Sequence, residues 1–377
     1  MTDICSIALE NLKENIIQHE GKLYIVAGAI QFHTIWIRDF GYCVDILHKL
    51  GLDKIIDNTI ELYLNHLIKD SKGHLYGPKC FDSMNPETRV VNASARHTFN
   101  MHRKKTPINK LDPHMYKDSR NAIAIDSNVM ICLAALNTNI YKKHINTLKE
   151  LLNWYSTKDA DGLIIQTGFS DFQDSQRREG VVFNINLMYY VCIKKYKQKG
   201  YDLGINLKEL KKKIISVFYD PIKGIFISQK NEKYICLLDN LLAIKYKFIP
   251  VKKLYLSLKN SELWSASKLK IPGFPTWPHN KDVHIQVKFG YLTDYHNDIY
   301  WGWLMAFSAA ISFEMDDKKE GHKIYNILEH IAIRDGTLSE IYKPEPNFPI
   351  FESSTYSSER PFTMSSCYAL KMCNEYS

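Results

Sequence analysis

Four short stretches of this chain hold most of the side chains able to grip a polyhydroxylated ring and move protons. Trp36-Ile37-Arg38-Asp39-Phe40 sets a guanidinium fork beside a carboxylate and an indole. That set suits an apolar ring edged with hydroxyls. Gly168-Phe169-Ser170-Asp171-Phe172-Gln173-Asp174-Ser175 carries two carboxylates in a loop. Asp294-Tyr295-His296-Asn297 runs on into Trp301-Gly302-Trp303, and Gly336-Thr337-Leu338-Ser339-Glu340-Ile341-Tyr342 presents one more acid among small residues. Cleavage of a glycosidic bond needs a protonated carboxyl beside the leaving oxygen and a second carboxylate across the ring. Asp171, Asp174 and Glu340 are the carboxylates these stretches offer for that work. Asp171 is read as a further contact of the same loop.

These stretches need elements to hold them, and helical periodicity dominates the chain. Twelve helices are expected, at 3–17, 40–50, 53–69, 125–137, 141–156, 182–198, 206–217, 238–246, 250–260, 299–314, 317–332 and 362–373. Asp126 and Ser127 are read as caps for the fourth, Asn206 caps the seventh, and Gly51 ends the second. Short links join the helices in pairs, and long connections separate the pairs at 73–124, 157–181, 218–237, 261–298 and 333–361. The pattern predicts an all-α fold of six hairpins closed into an (α/α)6 toroid, as one domain over 1–377. Its long loops would gather at one end, and every chemical stretch lies in or beside them. Tyr219 to Phe226, followed by Tyr234 to Leu237, reads as a small β-hairpin on that rim.

Composition narrows the rest. Hydrophobic residues make up 45% of 377, enough for a large core. The net charge of +8 comes from lysine excess, densest at His102-Arg103-Lys104-Lys105 and Lys211-Lys212-Lys213. Neither run interleaves with aromatics as a nucleic-acid platform does, so no nucleic-acid partner is expected. Eight cysteines show no Cys-x-x-Cys spacing and read as buried free thiols of a reducing compartment. The first residues carry no signal-peptide pattern, and no apolar run approaches the roughly eighteen residues of a membrane span. A cytoplasmic protein with no membrane partner is the expectation. His296 has no second His or acid at i, i+4, so no metal is expected. Asp159-Ala160-Asp161-Gly162 reads as a turn and not a calcium loop. Walker, GxGxxG and Gly-x-Ser-x-Gly motifs are missing.

Trp36-Ile37-Arg38-Asp39 resembles the W-x-R-D element of the glucoamylase-like (α/α)6-barrel glycosidases. These include glucoamylases, the amylo-α-1,6-glucosidases of debranching enzymes, trehalases and neutral invertases. The resemblance runs from about Trp36 to Leu370 with the motifs in order. It implies that Arg38 and Asp39 hold the sugar in the cleaved subsite. It also implies that Asp174 is the general acid and Glu340 the general base of an inverting hydrolase acting on an α-glucoside or oligosaccharide. No cofactor is implied. Tyr295-His296-Asn297 with Trp301-Gly302-Trp303 is similar to the family's Y-H-N … W-P-W stretch. Gln173 stands where a Trp is common, and Gly302 where a Pro is usual. An apolar or anionic setting is expected to keep Asp174 protonated. Arg38, Asp39, Asp174, His296 and Glu340 should line one cavity. Trp36, Trp264, Trp277, Tyr295 and Trp301 should form its aromatic wall, with Asn297 beside them. The alternatives are a neutral invertase or another small-glucoside hydrolase, and a carbohydrate-binding toroid without catalysis. A prenyl-transfer toroid would need acid-rich metal–diphosphate clusters, which the Arg38–Asp39 context does not match.

Overall fold

Local signals start and stop several helices where chemistry says they should. The Asp3 carboxylate accepts the Ser6 N–H at the start of α1 (Ile4–Glu14), and Asn206 accepts from Lys208 and Glu209 at the start of α7 (Leu207–Phe218). Asp317 caps α11 (Lys318–Asp335), and Gly336 ends it at φ 65°, a left-handed position that suits glycine. That turn launches the segment carrying Glu340.

The computed structural model describes residues 3–84, 88, 107–117, 123–155, 159–160, 162–289 and 292–376. Among the described residues, twelve helices of nine residues or more correspond one for one to the twelve expected. Besides α1, α7 and α11 they are α2 (Ile37–Lys49), α3 (Asp53–Leu64), α4 (Ser127–Ala135), α5 (Ile140–Asn153), α6 (Phe183–Gln198), α8 (Leu237–Lys245), α9 (Val251–Lys259), α10 (Gly302–Glu314) and α12 (Thr363–Tyr376). Several end a few residues earlier than expected, and at two of them a strand takes over. α1 stops at Glu14 because Ile16–His19 pairs with Lys22–Ile25, and α3 stops at Leu64 because Ile68–Lys69 pairs with Leu75–Tyr76.

The even-numbered helices form the inside of the molecule. α2 packs on α4, α4 on α6, α6 on α8, α8 on α10, α10 on α12, and α12 returns to α2. Burial follows this order. Every residue of α4 is buried, and so is every residue of α8 except its last. By contrast α7 buries only Leu210, Ile214 and Phe218, one stripe of an amphipathic helix. α4, α8 and α10 are buried on nearly every side because both faces meet protein. Trp303, Tyr368 and Phe307 cluster between α10 and α12, and full burial of each such ring contributes roughly 2–3 kcal/mol.

Four inner helices begin the same way. Ile35–Trp36, Gly180–Val181, Ile235–Cys236 and Tyr300–Trp301 are two-residue strands at the starts of α2, α6, α8 and α10. Each pairs antiparallel with a strand from one of the long connections. The rim therefore holds several small sheets where one hairpin was expected. Tyr219–Asp220 pairs with Ile225–Phe226, Ile227 bridges antiparallel to Ile235, and Ile235–Cys236 pairs in addition with Thr276–Trp277.

Two cysteines depart from the expectation of free thiols. Cys5 on α1 and Cys373 on α12 form a disulfide, Cα to Cα 6.3 Å, across 368 residues of sequence. The first and last helices pack on each other, as a closed ring of hairpins requires, and that packing brings the two thiols together. The other six cysteines are free and buried. Among the described residues no helix is long and apolar enough to cross a membrane. The basic run 102–105 and Asp161 lie outside the described residues.

Candidate active site

The strand pair at the start of α2 sets up the first half of the site. Ile35–Trp36 pairs with Cys80–Asp82, and the Ile37 N–H donates to the Lys79 carbonyl, 3.0 Å. Arg38 in the first turn of α2 and Lys79 on the neighbouring segment therefore project into one place. Both donate to Oδ2 of Asp174, Arg38 at 3.0 Å and Lys79 at 2.9 Å. Arg38 is pinned from behind by Asp126, with Nε to Oδ2 at 2.5 Å and Nη2 to Oδ1 at 3.3 Å. The expected capping role of Asp126 gives way to this pair, since its side chain makes no cap bond to α4. The Lys79 ammonium lies 5.4 Å from the Trp36 ring centroid. Trp36 Nε1 is buried with no hydrogen-bond partner among the described residues.

These two cations correct the setting expected for Asp174. Burial pushes its carboxyl up, but Lys79 and Arg38 outweigh that and hold it below the usual carboxylate range. Asp39, half-buried one residue after Arg38, goes the other way. Desolvation lifts it to about 7 against the opposing pull of Arg38.

A second network supports the Asp174 loop from below. Asp171 is fully buried, and Arg178 takes its Oδ2 at 2.5 Å and reaches Asp239 at 3.4 Å. Gln166 Nε2 and the Gln173 N–H supply two more bonds to Asp171. Asp171 thus spends its carboxylate inside its own loop, where a substrate contact was expected. Gln173 is also buried, donating to Thr276 at 2.6 Å. That bond ties the loop to the strand carrying Trp277, which stands 38% exposed on the rim.

The rim continues through aromatic side chains to Glu340. Ser175 Oγ is 2.5 Å from His296 Nδ1, and the His296 ring stacks on Trp301 at 5.0 Å and 14°. Burial pushes His296 down to about 3, so its imidazole is neutral. Trp301 Nε1 donates to the Tyr295 carbonyl at 2.8 Å. The Tyr295 hydroxyl donates to Glu340 Oε1, and the Tyr356 hydroxyl donates to Oε2 at 2.5 Å. Asn297 spends its amide on Gln176, Asn280 and Thr293, locking this segment in place.

Glu340 is 1% exposed, and desolvation pushes it up to about 8 despite the two phenolic donors. Its backbone is fixed on both sides. The Glu340 N–H donates to the Glu359 carbonyl, and the Gly302 N–H donates to the Glu340 carbonyl at 3.0 Å. A Cβ on Gly302 would meet the Ser339 carbonyl at 2.7 Å, and a proline would lack the N–H. This explains glycine where relatives of the motif carry proline. The Glu359 carboxylate accepts the N–H groups of Ile30, Gln31 and Phe32, joining the segment before Trp36 to the segment beside Glu340.

Trp36, Arg38, Asp174, His296, Tyr295, Trp301 and Glu340 thus form one continuous chain of contacts. Trp264 is elsewhere, buried against Tyr255 with Nε1 donating to Glu320 of α11. Lys79 and Tyr356 join these contacts without having been singled out in the sequence, and Asp126 joins them where a helix cap was expected. A lysine inside an apolar strand run was the one signal for Lys79. As for metals, His279, Asp294 and Asp298 place ligand atoms within 4.8 Å of one another on the partly exposed rim, and His279 pairs with Asp298 at 3.2 Å.

No family model and no curated protein sequence matches the chain. Solved structures do. A glycosidase in complex with glucose superposes with a TM-score of 0.61 at 10% identity, covering 99% of this chain and 96% of that one. A family 63 mannosylglycerate hydrolase from Thermus thermophilus, in complex with Tris and D-glycerate, gives 0.59 at 9%, covering 98% and 99%. The family 15 glucoamylase from Hypocrea jecorina gives 0.54 at 13%, covering 98% of this chain and 70% of that one. The chain has the fold of these glycoside hydrolases.

Proposed function

We propose that the protein is an inverting glycoside hydrolase acting on a small α-glucoside, built as one (α/α)6 toroid. The observation that carries this reading is the unbroken contact path from Asp174 through Ser175, His296, Trp301 and Tyr295 to Glu340. It links two carboxylates from distant loops, in a fold shared with glycosidases. The glucose bound by one neighbour and the glucoamylase name of another support a glucoside.

In the proposed reaction Glu340 removes a proton from water as its oxygen attacks the anomeric carbon. The carbon–oxygen bond to the aglycone breaks, both electrons leave with that oxygen, and Asp174 supplies its proton. A spacing of roughly 6.5–9.5 Å between the carboxylates would leave room for the water. Arg38, Asp39 and neutral His296 hold hydroxyls of the terminal ring, and Trp36 and Trp301 cover its apolar face. Trp277 extends the aromatic rim toward solvent. Asp171 and Asn297 act by holding the loops.

One observation favours a second reading of the roles. Asp174 is the carboxylate held ionised, and Glu340 is the one shifted toward its acid form. Exchanged roles would make Glu340 the proton donor. Hydrolysis of maltose, isomaltose, trehalose, sucrose and a branched dextrin, followed by proton NMR of the first sugar released, tests the reading. The β-anomer from an α-linked substrate is the expected product. Release of the α-anomer rejects inversion, sucrose as the preferred substrate moves the reading to an invertase, and no turnover leaves a carbohydrate-binding toroid.

A further inference from the structure

We propose that Glu359 is a positioning residue for Glu340: it clamps the Gly28–Phe32 loop against the segment beside the base, and so aims the Glu340 carboxylate and sets the charge around it. This role rests on Glu340 being the base of the hydrolase described above.

Glu359 has no exposed surface, and its carboxylate accepts three consecutive backbone N–H groups. Ile30 donates to Oε1 at 2.6 Å, and Gln31 and Phe32 donate to Oε2 at 2.7 and 3.1 Å. Successive amides turned toward one point make an anion-binding hollow and stabilise a charged acceptor. Here the chain itself supplies the anion. The fit is close, since a Cβ on Gly28 would overlap Glu359 Cγ and meet Cδ at 2.7 Å, so bare backbone is required there. The Gly28 N–H closes the loop on the Phe32 carbonyl, and Gly28 bridges antiparallel to Phe362. Neutral acceptors would satisfy the same N–H groups without a buried charge, which is costly. What the charge adds is felt at Glu340.

The two acids are paired through their backbones. The Glu340 N–H donates to the Glu359 carbonyl at 2.9 Å, and the Glu359 N–H donates to Glu340 Oε2 at 3.3 Å. The same oxygen takes the hydroxyl of Tyr356, three residues before Glu359. A shift of Glu359 therefore disturbs two of the donors that aim Glu340. The clamped loop leads through Thr34, whose carbonyl accepts the Ala27 N–H, into Ile35–Trp36 and Arg38. One carboxylate thus keeps the base in register with the first turn of α2.

The other groups around Glu340 bring no charge of their own. Burial raises the Tyr295 and Tyr356 phenols well above their ordinary value, so both stay neutral donors. His296, beyond Tyr295, is neutral, and Arg360 turns outward to Glu352 at 3.1 Å. Burial pushes Glu340 up first, and the charge of Glu359 adds to it. Higher proton affinity makes Glu340 the stronger base toward water once it is ionised.

Glu359→Gln keeps the size and removes the charge. Its kcat should fall about 30-fold with KM nearly unchanged, because a misaimed base loses rate and not substrate. Its acidic limb should move down from about 8 by roughly one pH unit, so the deficit shrinks as pH falls. Glu359→Asp keeps the charge but falls short of the loop, so its limb should stay in place while kcat falls. A structural prop alone would lower the melting temperature and leave both limbs where they are. An unmoved limb in Glu359→Gln, or a limb that moves equally in Glu359→Asp, overturns the role. If Glu359→Gln does not fold, Glu359→Asp decides: a loss confined to kcat supports the role, and any other result overturns it. Titration of Glu340 itself separates this role from the hydrolase reading. In protein carrying carbon-13 at the glutamate carboxyls, NMR identifies the Glu340 signal by its absence from Glu340→Gln. If no glucoside turns over but that titration moves down in Glu359→Gln, the tie between the acids stands and the hydrolase falls. If it does not move, both fall. Turnover with an unmoved limb rejects the role of Glu359 alone.

Discussion

Asp174 and Glu340 are joined by one path of contacts yet have opposite surroundings. Asp174 receives two cations on one oxygen and is 36% exposed at its side chain. Glu340 receives two phenol hydroxyls and one backbone N–H, has no cation beside it among the described residues, and is sealed from water. A charge partner stabilises a carboxylate far more than neutral donors do, so the first is driven below the ordinary range and the second above it. Similar residue types at two ends of one site are thus set apart by what the fold puts next to them.

The sharpest way to break this contrast is to remove the charge at Glu340. Glu340→Gln should cut kcat by about 10⁴-fold on every substrate, because water activation is needed in each case. Its stability should show the opposite trend. A raised carboxyl favours the fold below its unfolded value, and that contribution is lost as pH rises toward about 8. The melting temperature of Glu340→Gln relative to wild type should therefore climb between pH 5 and pH 8, values set by that shift. A difference independent of pH would reject the desolvated carboxylate.

Asp174→Asn should cost about 10³-fold on substrates with poor leaving groups and about tenfold on an activated aryl α-glucoside. If the leaving-group dependence follows Glu340→Gln instead, the roles are exchanged. Arg178→Met tests the scaffold under Asp174. It strands Asp171 and Asp239 in the interior and should lower unfolding free energy by about 3–5 kcal/mol in urea titration. A near-neutral effect would mean that the buried network is dispensable.

Tyr356→Phe gives the smallest expected change, about tenfold in kcat/KM. The hydroxyl pulls Glu340 down, so its loss should move the acidic limb of the pH profile upward from about 8. The base is active above its pKa, so the deficit should shrink as pH rises. An unmoved limb would show that Tyr356 does not act through Glu340.

The order of helices was legible in the sequence because it rests on local chemistry. Apolar spacing, the cap at Asn206 and the stop at Gly51 act within a few residues. The motifs around Arg38, Asp174, Tyr295 and Glu340 were legible because dense polar and aromatic groups in long loops stand out against helical periodicity. The strands that shorten α1 and α3 were not, since their pairing competes with helix propensity only once the partner strand is in place. Tertiary structure alone decided the rest. It placed Lys79 on Asp174 across 95 residues, Asp126 on Arg38 across 88, and Cys5 on Cys373 across 368. Trp264 and Asp171 look like cleft residues by type, yet packing turns both inward. Ionisation is the clearest case. Desolvation and the nearest charge fix it, and both are properties of neighbours in space, so two acids that read alike in sequence become opposites when the chain folds.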